Sequence, residues 1–100
     1  MSTELAAPPL INPTAEEAYW REAYRSEPYY RSDFTYDDYG PAYRVGYTGP
    51  MRRNGGFEQL EGELRNDFDR VRGKSRLRWE EAREATRAAW RRVTGEEQQH

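Results

Sequence analysis

Apolar residues recur at helical spacing in four stretches of this chain, separated by breaks rich in Pro and Gly. In the first, Ala15, Tyr19 and Ala23 form one i, i+4 row, with Trp20 and Tyr24 beside it. Thr14 as N-cap and Glu17 three residues later make a capping box, and Pro28 stops the chain. A helix is therefore expected over about 15–26. Residues 28–37 read as an extended linker. A short second helix is expected over about 37–46, capped by Asp37 or Asp38, with Tyr39 and Tyr43 on one face and Gly46 closing it. It admits Pro41 only in its first turn, where a missing N–H costs nothing. "TGPMRRNGG" then reads as a loop.

The third stretch places Phe57, Leu60, Leu64, Phe68 and Val71 at spacings of 3, 4, 4 and 3, with charge on all other sides. It predicts a helix over about 57–72, slightly weakened by Gly62 and followed by Gly73 at C′. The fourth predicts a helix over about 75–93 with Ser75 as N-cap. Its stripe is Trp79, Ala82, Ala85 or Thr86, Ala89 and Val93, flanked by Leu77 and Trp90. The short "GKSR" connection makes these two helices antiparallel neighbours. The expected fold is all-α: this hairpin packed with the first helix and the Tyr-rich segment, in a single small domain over 14–94, with disordered tails at 1–13 and 95–100.

An Ala-rich stripe lets helices approach closely but buries little area, so it cannot by itself offset the ordering of a hairpin. The missing apolar area must come from the tyrosines. All eight lie between Tyr19 and Tyr47, and "YYRSDFTYDDYGPAYRVGY" holds six of them with one phenylalanine. Core, docking surface and base-stacking platform are three readings of that cluster; the expected one is lid and core wrapped over the hairpin, with Tyr39 and Tyr43 packed on it. Tyr29, Tyr30, Tyr36 and Tyr47 are the candidates for a docking surface.

Composition narrows the chemistry. At 34% charged and 35% hydrophobic residues, only the 14% aromatics favour a compact domain over disorder. With no cysteine there are no disulfides, thiolates or Cys metal sites, and a reducing cytoplasm is expected. The first residues show no basic n-region and no long apolar run, so no signal peptide or membrane span is expected there. The net charge of -2 divides unevenly: residues 1–40 hold eight acids and three arginines, and residues 41–100 hold thirteen bases and ten acids. The two halves can attract each other, within one fold or between chains.

The residues offer little for catalysis. The single histidine is the terminal His100, which leaves no Ser/His or Cys/His arrangement. Asp37 and Asp38 are adjacent and diverge, and with Asp33 they lack the spacing of a calcium loop. "GGFEQLEG" and "GYTGP" do not form a phosphate loop. No cofactor, metal or small-molecule substrate is expected. Nucleic-acid binding is the stronger alternative: Arg70 to Arg92 contains nine bases and three acids, and Arg83, Arg87 and Arg91 form an i, i+4 row that could follow phosphates, with Arg76 nearby. Protein interaction or self-association is the third class, since Arg and Tyr are enriched at binding hot spots and Tyr–Arg neighbours such as Tyr24–Arg25, Tyr30–Arg31 and Tyr43–Arg44 suit cation–π contacts.

"YWREAYRSEPY", "YDDYGPAYRVG" and "SRLRWEEAREATRAAW", over roughly residues 18–93, resemble blocks of a family of small, stress-associated bacterial proteins with no assigned enzymatic activity. The resemblance implies a non-enzymatic structural or protein-interaction module and carries over no catalytic or binding residue. That is the expected function, with nucleic-acid binding through the Arg-rich fourth helix and exposed tyrosines as the alternative.

Overall fold

Each helix begins where a side chain can accept a backbone N–H that the helix leaves free. In the computed structural model, which describes residues 10–95, α1 (Pro13–Ala23) starts at Asn12, whose Oδ1 accepts from the N–H groups of Thr14 at 3.1 Å and Ala15 at 3.2 Å. The other three use a side chain at N3 that reaches back to the N-cap N–H. Thr35 N–H donates to Asp38 at 2.9 Å to start α2 (Tyr36–Arg52). Gly56 N–H donates to Gln59 at 3.0 Å to start α3 (Phe57–Val71). Arg78 N–H donates to Glu81 at 2.9 Å to start α4 (Trp79–Thr94). A 3₁₀ turn, Tyr24–Ser26, extends α1. Among the described residues all regular structure is helical, so the all-α expectation holds.

The boundaries differ from the expectation in four places. Asn12, not Thr14, caps α1, and Pro13 takes the first helical position, so helix begins inside the expected tail. Residues 1–9 and 96–100 of the two tails lie outside the described residues. The second helix is 17 residues long and runs through Gly46 and "TGPMR". Pro41 sits in its second turn, not its first. Gly40 precedes it, and a residue without Cβ relieves much of the clash that keeps pre-proline positions out of the helix. Finally, α4 starts at Trp79, because Ser75 is engaged elsewhere.

Helix α2 is the centre of the fold. Its inner face, Tyr39, Ala42, Tyr43, Gly46 and Gly49, is buried and lies mainly against α4. The approach is close. A Cβ on Gly46 would lie 2.2 Å from the Thr86 carbonyl oxygen and 2.8 Å from the Ala89 methyl, and one on Gly49 would lie 2.7 Å from the Trp90 ring. Opposite stand Ala82, Ala85, Thr86 and Ala89, all fully buried, and Thr86 Oγ1 donates to the Ala42 carbonyl at 2.9 Å. Helices α3 and α4 are antiparallel as expected: Glu61 accepts from Trp79 at 3.1 Å and Arg83 at 2.6 Å, while Phe57 meets Trp90 edge-on at 5.8 Å. Leu60, Leu64, Phe68, Trp79 and Trp90 are buried, as the hairpin reading requires. Val71, the last residue of that stripe, is instead 41% exposed.

Aromatic rings fill the area the small residues leave. Trp20 of α1 stacks on Tyr43 at 4.3 Å and 11°, Tyr43 and Tyr29 share a 2.7 Å hydroxyl hydrogen bond, and Tyr39 accepts from Arg31 N–H at 3.0 Å. The Trp20 and Trp90 indole N–H groups are buried without a partner among the described residues. Each such orphan costs about 1–3 kcal/mol, against roughly 4–6 kcal/mol from burying some 150–250 Å² of aromatic surface. Burial wins.

Two buried carboxylates fasten α2. Near its start, Asp38 accepts from Arg76 at 2.7 Å (Nη2), 3.2 Å (Nε) and 2.9 Å (backbone N–H), while its own carbonyl accepts from Ser75 Oγ at 2.6 Å. At the other end, Asp67 of α3 receives Nε and Nη2 of Arg53, the α2 C-cap residue, at 2.8–3.2 Å, and Arg70 at 2.7 Å. Burial pushes the Asp67 carboxyl up, but the two guanidinium groups outweigh it and hold it below its ordinary value. Arg76 and the N–H groups of Arg76 and Thr35, opposed by burial, bring Asp38 down to about 2.

Two predictions follow from this geometry. Gly46→Ala should destabilise the domain by at least ~1–3 kcal/mol, the usual cost of overpacking. Gly62→Ala, whose Cβ would meet nothing within 4 Å, should stabilise it by about 0.5–1 kcal/mol; urea melts of the two variants should therefore shift in opposite directions. Acid should act through Asp38. Its folded value near 2 lies below the ~3.9 of an unfolded aspartate, so its contribution is complete above about pH 4 and fades as pH falls towards 2. Asp38→Ala should cost on the order of 3 kcal/mol at neutral pH and flatten the stability profile over that acid window, as read by denaturant melts at a series of pH values.

Candidate functional site

Most of the described charged side chains make an ion pair within the fold, although many remain exposed. Arg83 pairs with Glu61 at 2.6 Å, Arg87 with Glu58 at 3.2 Å, and both guanidinium groups lie 5.5 Å from the Phe57 ring centre. Arg76 is committed to Asp38. Of the four arginines expected to contact nucleic acid, Arg91 is exposed and carries no ion pair among the described residues. The two halves of the chain do attract each other within one fold, through Asp38–Arg76 at 2.7 Å and Glu16–Arg92 at 3.0 Å. Asp38 is unavailable to a cation, and no group of three candidate metal ligands occurs among the described residues. His100 lies outside them.

A groove of about 370 Å³ gathers several charges on one face. Glu17 and Arg21 of α1 form one wall. The outer face of α2 forms the floor, with Tyr36, Gly40, Arg44 and Tyr47 in one row and Asp37 and Pro41 beside it. Val71, Arg72, Gly73 and Lys74, where α3 ends, close the far side. Gly73 has φ +53°, the left-handed conformation that glycine adopts without strain, and this turns the chain out of α3. Four cations face two carboxylates here, on a chain whose net charge is -2.

The charges in the groove differ in availability. Arg21 binds Glu17 at 2.8 Å and lies over the Tyr36 ring at 4.5 Å. Arg72 donates to the Leu77 carbonyl and sits over Phe68 at 4.9 Å. Arg44 and Lys74 are exposed and have no carboxylate partner among the described residues. Burial, with a smaller contribution from Tyr47, pushes the Tyr36 hydroxyl up to about 12, and burial also raises Tyr47. Both phenols therefore stay protonated at neutral pH and can donate.

The four tyrosines expected on a docking surface separate into two pairs. Tyr36 and Tyr47 line the groove, though Tyr47 is only 5% exposed. Tyr29 and Tyr30 are half-buried and pack into the cluster around Tyr39. Cation–π contacts occur, chiefly between residues distant in sequence: Arg92 lies 3.6 Å over Tyr19, and of the three neighbouring pairs Arg25 lies 5.8 Å over Tyr24. The sequence reading missed the groove because it ended the second helix at Gly46. The signal was the Tyr36, Gly40, Arg44, Tyr47 spacing, which becomes one face only when the helix continues. No helix among the described residues is long and apolar enough to cross a membrane. Comparison with family models, curated proteins and solved structures found no match to this chain.

Alkali tests the packing of these phenols. Raised folded values mean that the stabilisation is complete below about pH 10, where an unfolded tyrosine ionises, and is lost as pH climbs towards the folded value, near 12 for Tyr36. Phenolate absorbance at about 295 nm should therefore rise in two stages, the second coinciding with loss of helical circular dichroism. A single stage near pH 10 with the helices intact would mean that the rings are exposed.

Proposed function

We propose that this chain is a non-enzymatic, stress-associated interaction module of the bacterial cytoplasm, and that it docks a partner chain in the groove between α1, α2 and the Gly73 turn. The observation that carries the docking site is the placement of Arg44 and Lys74. Six cations have no carboxylate or ring partner among the described residues, Arg44, Arg52, Arg65, Lys74, Arg78 and Arg91, and of these Arg44 and Lys74 line the groove together with the exposed Val71. Such a mixture of free charge and exposed apolar surface fits a protein contact. The stress association and the bacterial cytoplasm rest on the sequence blocks and the cysteine-free composition.

Nucleic-acid binding is less well supported. Arg76, Arg83 and Arg87 already have carboxylate partners. A phosphate backbone would have to displace those pairs, and the carboxylates set free would take up cations, offsetting the counterions that the nucleic acid releases.

The test is charge reversal. Arg44→Glu with Lys74→Glu alters two exposed side chains, so circular dichroism and melting temperature should match the wild type. Affinity capture from stressed bacterial cells should then lose the proteins that the wild type retains. Retention of the same set by the variant would place docking elsewhere.

A further inference from the structure

We infer that the groove takes an acidic segment of a partner protein, with an apolar side chain of that segment seated on Val71 and Pro41. This rests on the docking reading above and adds the chemistry of the partner. Arg44 and Lys74 supply two unpaired positive charges on one open groove. Neither the Tyr36 nor the Tyr47 hydroxyl has a hydrogen-bond partner among the described residues. Two cations and two O–H donors together ask for a ligand rich in anionic acceptors, and a chain of Asp and Glu residues supplies them.

A polynucleotide offers anionic acceptors too, but it also needs ring faces on which bases can stack. The groove does not present them. Arg21 covers the Tyr36 ring at 4.5 Å, the ring packs against the backbone at Gly40, and Tyr47 is 5% exposed. What remains open is aliphatic: Val71 at 41% exposure, with Pro41 in the same lining. An aliphatic patch framed by cations matches an acidic peptide with a Leu or Val among its carboxylates. Asp37 and the paired Glu17 lie in the same lining and repel carboxylates, which restricts the registers such a segment can adopt.

The experiment is fluorescence anisotropy at physiological salt with four probes: a ten-residue Asp/Glu peptide with one central Leu, its Leu→Ser version, a Lys version, and a single-stranded oligonucleotide of equal charge. The wild type should bind the acidic Leu peptide in the micromolar range and the Ser version several-fold more weakly. The Arg44→Glu, Lys74→Glu variant should lose the acidic peptide by at least ~10-fold, about 1.4 kcal/mol, and gain the Lys peptide. Tighter binding of the oligonucleotide, or acidic-peptide binding that survives the charge reversal, would overturn the inference. If no peptide binds while cellular capture still depends on Arg44 and Lys74, the acidic segment is wrong and the docking site stands. If capture is also unaffected, both fall.

Discussion

Helices α2 and α4 can lie this close only because α2 carries glycine at the two tightest points of contact, Gly46 and Gly49. A Cβ on Gly46 would lie 2.2 Å from the Thr86 carbonyl oxygen, which as backbone cannot move aside, so any side chain there must separate the helices. Separation would remove the methyl contacts of Ala82, Ala85 and Ala89, break the hydrogen bond from Thr86 to the Ala42 carbonyl, and lift Trp90 from Gly49. The small-residue seam is thus a geometric constraint before it is an energetic one. It brings two backbones close and buries little hydrocarbon.

That shortage explains how the rest of the core is composed. Around the seam the chain places rings, which bury more area per residue than any aliphatic side chain, and it fastens α2 with Asp38–Arg76 and Asp67–Arg53. A buried carboxylate adds stability only when nearly all its acceptor capacity is met. Asp38 satisfies that requirement with backbone and guanidinium donors from two separate segments. Arg44 lies on the face of α2 turned away from the seam, and Lys74, just past the end of α3, lines the same groove, so neither charge takes part in that fastening.

Much of this was legible in the sequence. The 3.6-residue periodicities located α1, α3 and α4, and the deficit of aliphatic area correctly assigned Tyr39 and Tyr43 to the core. The misreadings share one cause. Gly46, Gly49, Pro41 and Pro50 are punctuation by local rules, yet here the glycines serve contacts with residues some forty positions away and Gly40 makes Pro41 tolerable. Ser75 was misassigned for the same reason: its local role as a cap gave way to a bond with the carbonyl of Asp38. With α2 cut short, Tyr47 fell outside any helix, and the face that forms the groove was not visible as a face.

The pairing of α2 with α4 also orders events in time. Thr86 and Ala42 are 44 residues apart, and Arg76 and Asp38 are 38 apart, so α3 is carried on a loop that the central contact must close. Closing a loop of that length costs chain entropy that grows only slowly with the number of residues, and the adjacent α3–α4 turn cannot stand in for it. Substitutions on the outer surface of α3 should then change how fast the native chain opens far more than how fast it forms, whereas those at the glycine seam should slow formation itself. On that order of events, kinetic persistence and folding speed would fall to different helices.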